Sequence, residues 1–217
     1  MTPIVSIIMG STSDLPVMEK AAAFLNEMKV PFEMNALSAH RTPEAVEAFA
    51  KGAAGRGIRV IIAAAGMAAH LPGVIAASTT VPVIGVPIKS TLEGMDALLA
   101  IVQMPPGIPV ATVGINAAMN AAILAVQMLS LADRELADRF TAYKENLKKK
   151  IEKANEETSI REIRAIIQHC IEHEDKKQPL TDEQLMEVLK QKGFELARRT
   201  VAKYRQQLGI PVARMRR

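Results

Sequence analysis

Two polar segments of the chain contain residue types that can bind phosphate, and one of the segments also contains a residue type that can transfer protons. In the first, Ser11, Ser13 and Asp14 follow an apolar run directly and precede a helical pattern. Free backbone N–H groups at a helix N-terminus, with two hydroxyls beside them, suit an anion such as phosphate. Asp14 would repel phosphate, so we expect its carboxylate to accept hydrogen bonds from sugar hydroxyls. The alternative is that Ser13 or Asp14 simply caps the helix.

The second segment, at residues 38–43, places His40 next to Arg41. Arginine can hold a phosphate or carboxylate through two parallel hydrogen bonds, and histidine exchanges protons near neutral pH. Thr42 suits the N-cap of a following helix and Pro43 its first position. A phosphate clamp beside a proton carrier suits a phosphorylated substrate. The alternative is that this His-Arg pair is ordinary surface.

A third segment, at residues 65–73, is small and apolar apart from His70. Small residues such as Gly66 let backbone approach a planar ring closely, and apolar ones exclude water from it. The loop therefore suits the wall of a ring-binding pocket. The alternative is a tight loop whose small residues serve packing alone.

Apolar runs that alternate with helical patterns predict how these segments are positioned. The runs predict strands at 3–9, 32–37, 58–65, 82–86 and 108–113, and the patterns predict helices at 15–29, 42–55, 93–102, 116–131 and 133–157. This alternation predicts an α/β fold with a parallel, doubly wound sheet. Ligands bind beyond the carboxyl ends of the strands in such sheets, so the three loops should converge on one crevice.

Composition excludes several classes of protein. The 217 residues are 49% apolar, which is enough for a substantial core, and Cys170 is the single cysteine, so no intrachain disulfide can form. The N-terminal residues lack the basic and apolar regions of a signal peptide, and no uninterrupted apolar run is long enough to span a membrane. We therefore expect a cytoplasmic protein in a reducing compartment, without a membrane partner.

Five segments of the chain resemble the PurE family of purine biosynthesis. They occur in the family's order and read GSTSD at 10–14, SAHRTP at 38–43, AAHLPG at 68–73, GVP at 85–87 and QMPPGIPV at 103–110. The resemblance implies a three-layer, flavodoxin-like parallel sheet, a homo-octamer, and catalysis without a metal or organic cofactor. Arg41 followed by Thr-Pro resembles the bacterial mutase class, because the carboxylase class usually has Lys there. Met67 departs from the pattern, since many members have Gly.

The same resemblance implies a reaction. The substrate would be 5-(carboxyamino)imidazole ribonucleotide, whose carboxylate moves from the exocyclic nitrogen to ring carbon 4 of aminoimidazole ribonucleotide. His40 is the expected catalytic residue, which protonates that nitrogen as carbon dioxide leaves and later removes the ring proton. The expected substrate-binding residues are Ser11, Ser13, Asp14, Ser38, Arg41, Gly66, His70 and Leu71.

The last 60 residues differ in composition from the rest of the chain. Residues 1–157 carry 14 Lys and Arg against 15 Asp and Glu, whereas residues 158–217 carry 13 against 8, and residues 198–217 contain seven basic side chains and no acidic one. A polyanion partner would explain this excess, and so would a solvated basic tail. We place the domain boundary between 157 and 158, with a linker or helix extension at 150–158.

Three helical stretches are predicted in this second domain, at 159–174, 181–192 and 196–208. Thr181 is a candidate N-cap and Gly193 ends the second stretch. Two helices joined by a short turn that contains glycine form the helix-turn-helix pattern. Generic helix pairs with basic faces share this pattern. His169 and His173 lie four apart, but the domain offers no second pair of ligands, so we expect no metal site there.

The segment ARRTVAKYR at 197–205 resembles the signature box of the sigma-54 family's C-terminal DNA-binding domain. This implies an all-α module at 158–217 that contacts duplex DNA through residues 181–217. The expected DNA-binding residues are Arg198, Arg199, Thr200, Lys203, Tyr204 and Arg205. Nothing in the chain corresponds to the polymerase-binding and activator-binding regions of a sigma factor.

Two functions are consistent with this organisation. One is a mutase that carries the helical module as an appendage. The alternative is a promoter-binding protein that uses the PurE-like domain as an oligomeric scaffold. We favour the enzyme, because all five of its segments are intact.

Overall fold

A computed structural model describes residues 2–216 of the chain. These residues form two compact units, one ending at Tyr143 and the other starting at Lys144. Of the described helices, none has both the length and the apolar character needed to cross a membrane.

The first unit is built on a five-stranded sheet in which every pair of neighbouring strands is parallel. The strands are β1 (Val5–Met9), β2 (Phe32–Ala36), β3 (Val60–Gly66), β4 (Val83–Ile88) and β5 (Ala111–Thr112). Their order is β2-β1-β3-β4-β5, so the direction of winding reverses between β1 and β3. This confirms the predicted doubly wound, flavodoxin-like sheet, and the reversal marks where such sheets bind ligands.

Five helices cover the two faces of the sheet. They are α1 (Leu15–Glu27), α2 (Pro43–Gly52), α3 (Leu71–Ser78), α4 (Met95–Val102) and α5 (Ala118–Ser130). Buried residues of α1 and α5 share one hydrophobic cluster with the sheet, and those of α2, α3 and α4 share another. Because both faces are covered, β1 and β4 are buried along their whole length, which explains why all of their residues except Ser6 are apolar.

Two elements of the first unit differ most from the sequence-based prediction. The helix α3 was not predicted, because Pro72 and Gly73 suggest a loop; Pro72 instead occupies the first turn, where a missing N–H costs nothing. The strand β5 pairs over two residues rather than the predicted six. Thr42 is the N-cap residue of α2 as predicted, but its hydroxyl donates to the Ser38 carbonyl at 3.0 Å rather than capping the helix.

The helix α6 runs without a break from Arg134 to Glu172, so the segment predicted as a linker or helix extension is a helix extension. Its middle is rich in Lys and Glu, which are strong helix formers. Ion pairs four residues apart, Lys148–Glu152 at 3.8 Å and Lys153–Glu157 at 3.9 Å, add support. The two compact units divide inside this helix, at 143/144, and the domain boundary at 157/158 stays a prediction.

All the regular secondary structure described in the second unit is helical. After α6 come α7 (Asp182–Gln191) and α8 (Arg198–Gln207), separated by a turn in which Gly193 has a φ of 89°. The hydroxyl of Thr181 accepts a hydrogen bond from the backbone of Gln184, which confirms Thr181 as the N-cap of α7. The buried core consists of Ile163, Ile167, Leu185, Leu189 and Val201.

Candidate active site

A pocket of about 740 Å³ opens at the carboxyl ends of four neighbouring strands. Its walls come from residues 10–14 after β1, 38–41 after β2, 65–68 at the end of β3 and 88–90 at the end of β4, with Leu71 from α3. The three loops singled out in the sequence therefore meet around one cavity. Parallel strands bring them together, because their carboxyl ends share one edge of the sheet.

In the first loop, Ser11 organises the other polar residues. Its hydroxyl accepts hydrogen bonds from the backbone N–H of Ser13 at 3.3 Å and from the Ser13 hydroxyl at 2.9 Å. Asp14 occupies the N-cap position of α1 but makes no capping hydrogen bond. The alternative of a simple helix cap by Ser13 or Asp14 is therefore wrong, and both side chains line the pocket.

Asp14 is a buried carboxyl group, with 7% of the residue exposed. Burial raises its pKa above the ordinary value, and hydrogen bonds from the Ser11 backbone and the Ser13 hydroxyl oppose that rise only in part. Burial in the pocket wall destabilises the charged form of this carboxylate. The position therefore suits a role in which a ligand hydroxyl donates a hydrogen bond to it.

Arg41 connects the second loop to the first. Its Nη2 donates to the Gly10 carbonyl at 3.0 Å, and its Nε and backbone N–H donate to the Ser38 hydroxyl at 3.3 and 3.2 Å. These contacts hold the guanidinium beside Ser11 and Ser13 in the pocket wall, with N–H groups left over for an anion. The geometry is that of a cationic clamp next to a pair of hydroxyls.

His40 lines the pocket and contacts His70, which lies just outside the lining. The Nε2 of His40 is 2.9 Å from the Nδ1 of His70, and the two rings meet edge to face at 81°. Such a contact needs one nitrogen that carries a proton and one that does not. The pair can therefore pass a proton along this line, and His70 orients the ring of His40.

The third loop brings backbone close to the pocket. A Cβ on Gly66 would lie 3.3 Å from the Ile88 carbonyl oxygen, so glycine is what allows this close approach. Met67, where many PurE members have Gly, has a φ of 55° in the left-handed region that favours glycine. Its side chain is 56% exposed and lines the pocket, so it fits sterically while keeping a strained backbone.

Lys89 and Ser90 form a fourth wall that the sequence analysis missed. The predicted fourth strand ended at 86, whereas β4 continues to Ile88, so the loop at its carboxyl end starts two residues later. The rule that ligands bind beyond the carboxyl ends of parallel strands would have identified Lys89 and Ser90 if the end of β4 had been predicted correctly. Within residues 2–216, no group of three or more His, Cys, Asp or Glu side chains could hold a metal ion.

In the second unit, the residues expected to contact DNA do not all face solvent. Arg198, Arg199 and Lys203 are exposed on α8, and Arg198 forms an ion pair with Glu183 at 2.9 Å. Thr200 and Tyr204 are half-buried. The exposed cations lie within the first six residues of α8 and leave one helix face basic.

Arg205 corrects the prediction, because it is 2% exposed and cannot reach DNA. Its guanidinium donates to the carboxylate of Asp182 at 2.7 and 3.3 Å and to the Ile210 carbonyl at 2.6 Å. Arg216 makes a similar buried pair with Glu174 at 2.7 Å. Two cations that look like part of a basic tail in the sequence therefore hold the unit together.

The 2-1-3-4-5 parallel sheet, with a polar pocket across its switch point, defines the first unit as a flavodoxin-like α/β domain with a built ligand site. The pocket combines a cationic clamp, a buried carboxyl and an imidazole pair. The chain belongs to the AIR carboxylase family, whose model matches residues 4–150.

Curated relatives agree with this assignment. The N5-carboxyaminoimidazole ribonucleotide mutase of Pyrococcus abyssi is 60% identical over 148 residues, which cover 68% of this chain and 85% of that protein. The Mycobacterium tuberculosis H37Rv mutase is 57% identical over 146 residues, 67% of this chain and 84% of that protein. A crystal structure of Treponema denticola PurE has a TM-score of 0.66 at 32% identity, and covers 71% of this chain and 98% of that one.

A second family model, described as the sigma-54 DNA binding domain, matches residues 140–217. This match overlaps the first one at residues 140–150 and covers the rest of the chain. It agrees with the resemblance of the segment at 197–205.

Proposed function

We propose that this protein is an N5-carboxyaminoimidazole ribonucleotide mutase of purine biosynthesis, an isomerase that moves a carboxylate from the exocyclic nitrogen to ring carbon 4. The observation that carries the proposal is the meeting of His40 and Arg41 with the 10–14 loop in one pocket. The 60% identity to a curated mutase over the same domain supports it independently.

The contacts suggest how the substrate is held. Ser11, Ser13 and the guanidinium of Arg41 form a cluster of donors that suits the 5′-phosphate. Ser38 keeps that guanidinium in place through two hydrogen bonds. Asp14, buried next to the cluster, accepts hydrogen bonds from the ribose hydroxyls, and Gly66 and Leu71 leave room for the flat imidazole.

The chemistry then needs one proton carrier. His40 donates a proton to the exocyclic nitrogen as the N–C bond of the carbamate breaks, which releases carbon dioxide inside the pocket. Ring carbon 4 attacks that carbon dioxide to form the new C–C bond, and His40 takes the proton that carbon 4 loses. The proton count closes, so a single imidazole, oriented by His70, serves both steps.

Retention of carbon dioxide distinguishes a mutase from a carboxylase. Some relatives bear the second name: the phosphoribosylaminoimidazole carboxylase of Schizosaccharomyces pombe is 55% identical over 148 residues, which are 27% of that longer protein. Arg41 followed by Thr42 and Pro43 favours the mutase reaction for this chain, because the resemblance links Lys at that place to the use of free carbon dioxide.

The test is an assay in which the purified protein converts the proposed substrate. The absorbance of the imidazole carboxylate product measures the rate. We expect turnover of 5-(carboxyamino)imidazole ribonucleotide with no added bicarbonate. Aminoimidazole ribonucleotide should be turned over only slightly, even when bicarbonate is added. Arg41→Gln should raise KM by about tenfold or more, since it removes a charged hydrogen-bond donor to phosphate. Absence of turnover by the full-length protein would refute the proposal.

A homo-octamer follows from the same family resemblance, and apolar exposure on the first unit supports association. Met95, Leu99 and Val102 lie on one side of α4 and are each about half exposed. Such a stripe is unusual on a helix that faces only water. Sedimentation of the full chain checks this proposal, and a monomer at micromolar concentration would contradict it. A cytoplasmic location also stays a prediction.

A second function, binding of duplex DNA by the second unit, is favoured by one observation. The sigma-54 model matches it, and α8 keeps Arg198, Arg199 and Lys203 on its surface. Phosphate contacts by such side chains position a protein on DNA, and arginine at a guanine edge reads sequence. Thr200 and Tyr204 are then secondary contacts at the margin of this basic face.

The resemblance to the sigma-54 family implies that the α8 segment binds the GG element of promoters. Titration of a duplex that carries this GG element, at several salt concentrations, tests the second function. A scrambled duplex of the same length is the control. We expect tighter binding to the GG duplex and a logarithmic salt slope of about −3, from roughly three to four phosphate contacts. An affinity that depends neither on the duplex sequence nor on the salt concentration would contradict this second function.

A further inference from the structure

The structure assigns to Lys89 a role that neither the family resemblance nor the relatives give it: we propose that its ammonium group binds the migrating carboxylate of the substrate. This inference rests on the proposed mutase function and concerns the same pocket. Its basis is the fourth wall, at residues 88–90, which brings a second cation to a site where Arg41 is the first.

A mutase substrate has two separate anionic groups, a phosphate on the ribose and a carboxylate on the base. Arg41 and the serine hydroxyls of the first loop account for the phosphate. Apart from the protonated form of His40, which acts on the exocyclic nitrogen, the three predicted loops offer the carboxylate no further cation. Lys89 lines the same pocket and comes from a different strand end, so it can serve the other end of the ligand.

The position of Lys89 relative to the ring-binding loop supports this division. Its neighbour Ser90 packs against Gly66, where an added Cβ would lie 3.7 Å from the Ser90 Cβ. The fourth wall therefore adjoins the loop expected to hold the imidazole. A cation at this wall is close to the part of the ligand that changes during the reaction.

The backbone of Lys89 is fixed while its side chain stays available. Its N–H donates to the side-chain oxygen of Asn116 at 2.9 Å, and the Asn116 N–H donates to the Pro87 carbonyl at 2.8 Å. Gly94 packs so closely that a Cβ there would lie 3.1 Å from the Lys89 Cα. The Lys89 side chain, by contrast, is 52% exposed.

The ammonium group pairs with Glu93, whose side chain is 79% exposed. An exposed carboxylate partner of this kind contributes little stability and is easily exchanged. A ligand carboxylate that enters the pocket therefore competes with Glu93 for Lys89. This exchange predicts opposite effects for the two residues: loss of Lys89 weakens carboxylate binding, and loss of the Glu93 charge strengthens it.

Two ligands that differ only in the carboxylate test the proposal in the full-length protein. Calorimetry would measure binding of the 4-carboxylated aminoimidazole ribonucleotide and of aminoimidazole ribonucleotide itself. Lys89→Gln should weaken the carboxylated ligand about tenfold and the other less than about twofold. Glu93→Gln should tighten the carboxylated ligand by about two- to threefold.

Lys51→Gln is the matched control, because Lys51 also pairs with a glutamate four residues away, Glu47, and both side chains are exposed on α2 outside the pocket lining. It should change neither affinity. If Lys89→Gln leaves both affinities unchanged, or weakens both ligands equally, the carboxylate role is overturned while the mutase function stands. If the native protein binds neither ligand, both proposals fail together.

Discussion

Replacement of His40 by asparagine separates catalysis from binding in this pocket. The residues that would hold the phosphate and the ribose, Arg41, Ser11 and Asp14, keep their contacts, because none of those contacts involves His40. We therefore expect KM to stay within about threefold. The turnover number should fall by about 100-fold or more, since the imidazole that lines the pocket is lost and water must carry the proton.

The size of this effect can be set against what the His40–His70 contact alone would cost. A hundredfold loss corresponds to about 2.7 kcal/mol of transition-state stabilisation. The 2.9 Å hydrogen bond between the rings contributes about 0.5–1.5 kcal/mol, and less here because both side chains are exposed. His70→Asn, which removes only the orienting partner, should therefore lower turnover by about tenfold or less.

The assay is steady-state kinetics of both variants beside the native protein, with thermal melting to check that they fold. Ranked effects, with His40 far above His70, are the expected result. If His40→Asn kept turnover within about twofold, His40 would not carry the proton. If His70→Asn were the more damaging of the two, their roles would be reversed.

Three further predictions concern stability and DNA. Asp14→Asn removes a buried carboxyl whose pKa is raised, so the variant should be more stable than the native protein at pH values above that raised pKa. In melts at decreasing pH this gain should fade towards the ordinary aspartate range, and a constant gain would contradict the assignment. Gly85→Ala should cost about 1–3 kcal/mol in urea unfolding, because its Cβ would lie 2.4 Å from the Ile101 side chain; an unchanged midpoint would disprove this clash. Lys203→Ala should reduce the DNA salt slope by about 1 without unfolding the second unit. Arg205→Ala should instead destabilise that unit by on the order of 3 kcal/mol, because Arg205 is buried. Equal loss of stability in the two variants would show that burial does not distinguish the role of Arg205 from that of Lys203.

The basic tail shows why a count of charges along the sequence overstates an electrostatic surface. Seven basic residues lie between 198 and 217. Arg205 and Arg216 are held in ion pairs with Asp182 and Glu174, which lie far from them in the sequence. The Arg205 pair depends on how α8 packs against the start of α7, and the Arg216 pair on how the chain returns after α8, so no local pattern predicts either.

The pairing also has an electrostatic signature. The arginine at 216 is largely responsible for lowering the pKa of Glu174 below its ordinary value. The carboxylate therefore contributes stability at pH values above its ordinary range, and that contribution disappears as the pH falls through the lowered pKa.

The loops that line the pocket were predictable from sequence because each combines a local signal with a general rule of topology. Polar segments such as 10–14 and 38–43 follow apolar runs directly, and the alternation of runs with helical patterns implies parallel strands. Parallel strands place their carboxyl ends at one edge. The family resemblance then connected His40 and Arg41 to a reaction.

The sequence by itself determined the class of fold, three of the four pocket walls and the helical nature of the tail, because hydrophobic periodicity and turn residues act over short distances along the chain. Only the tertiary structure decided that Lys89 joins the pocket, that His70 touches His40, and that Arg205 is buried. Each of these depends on where a strand ends or which distant side chain lies opposite, and packing across the whole domain sets both.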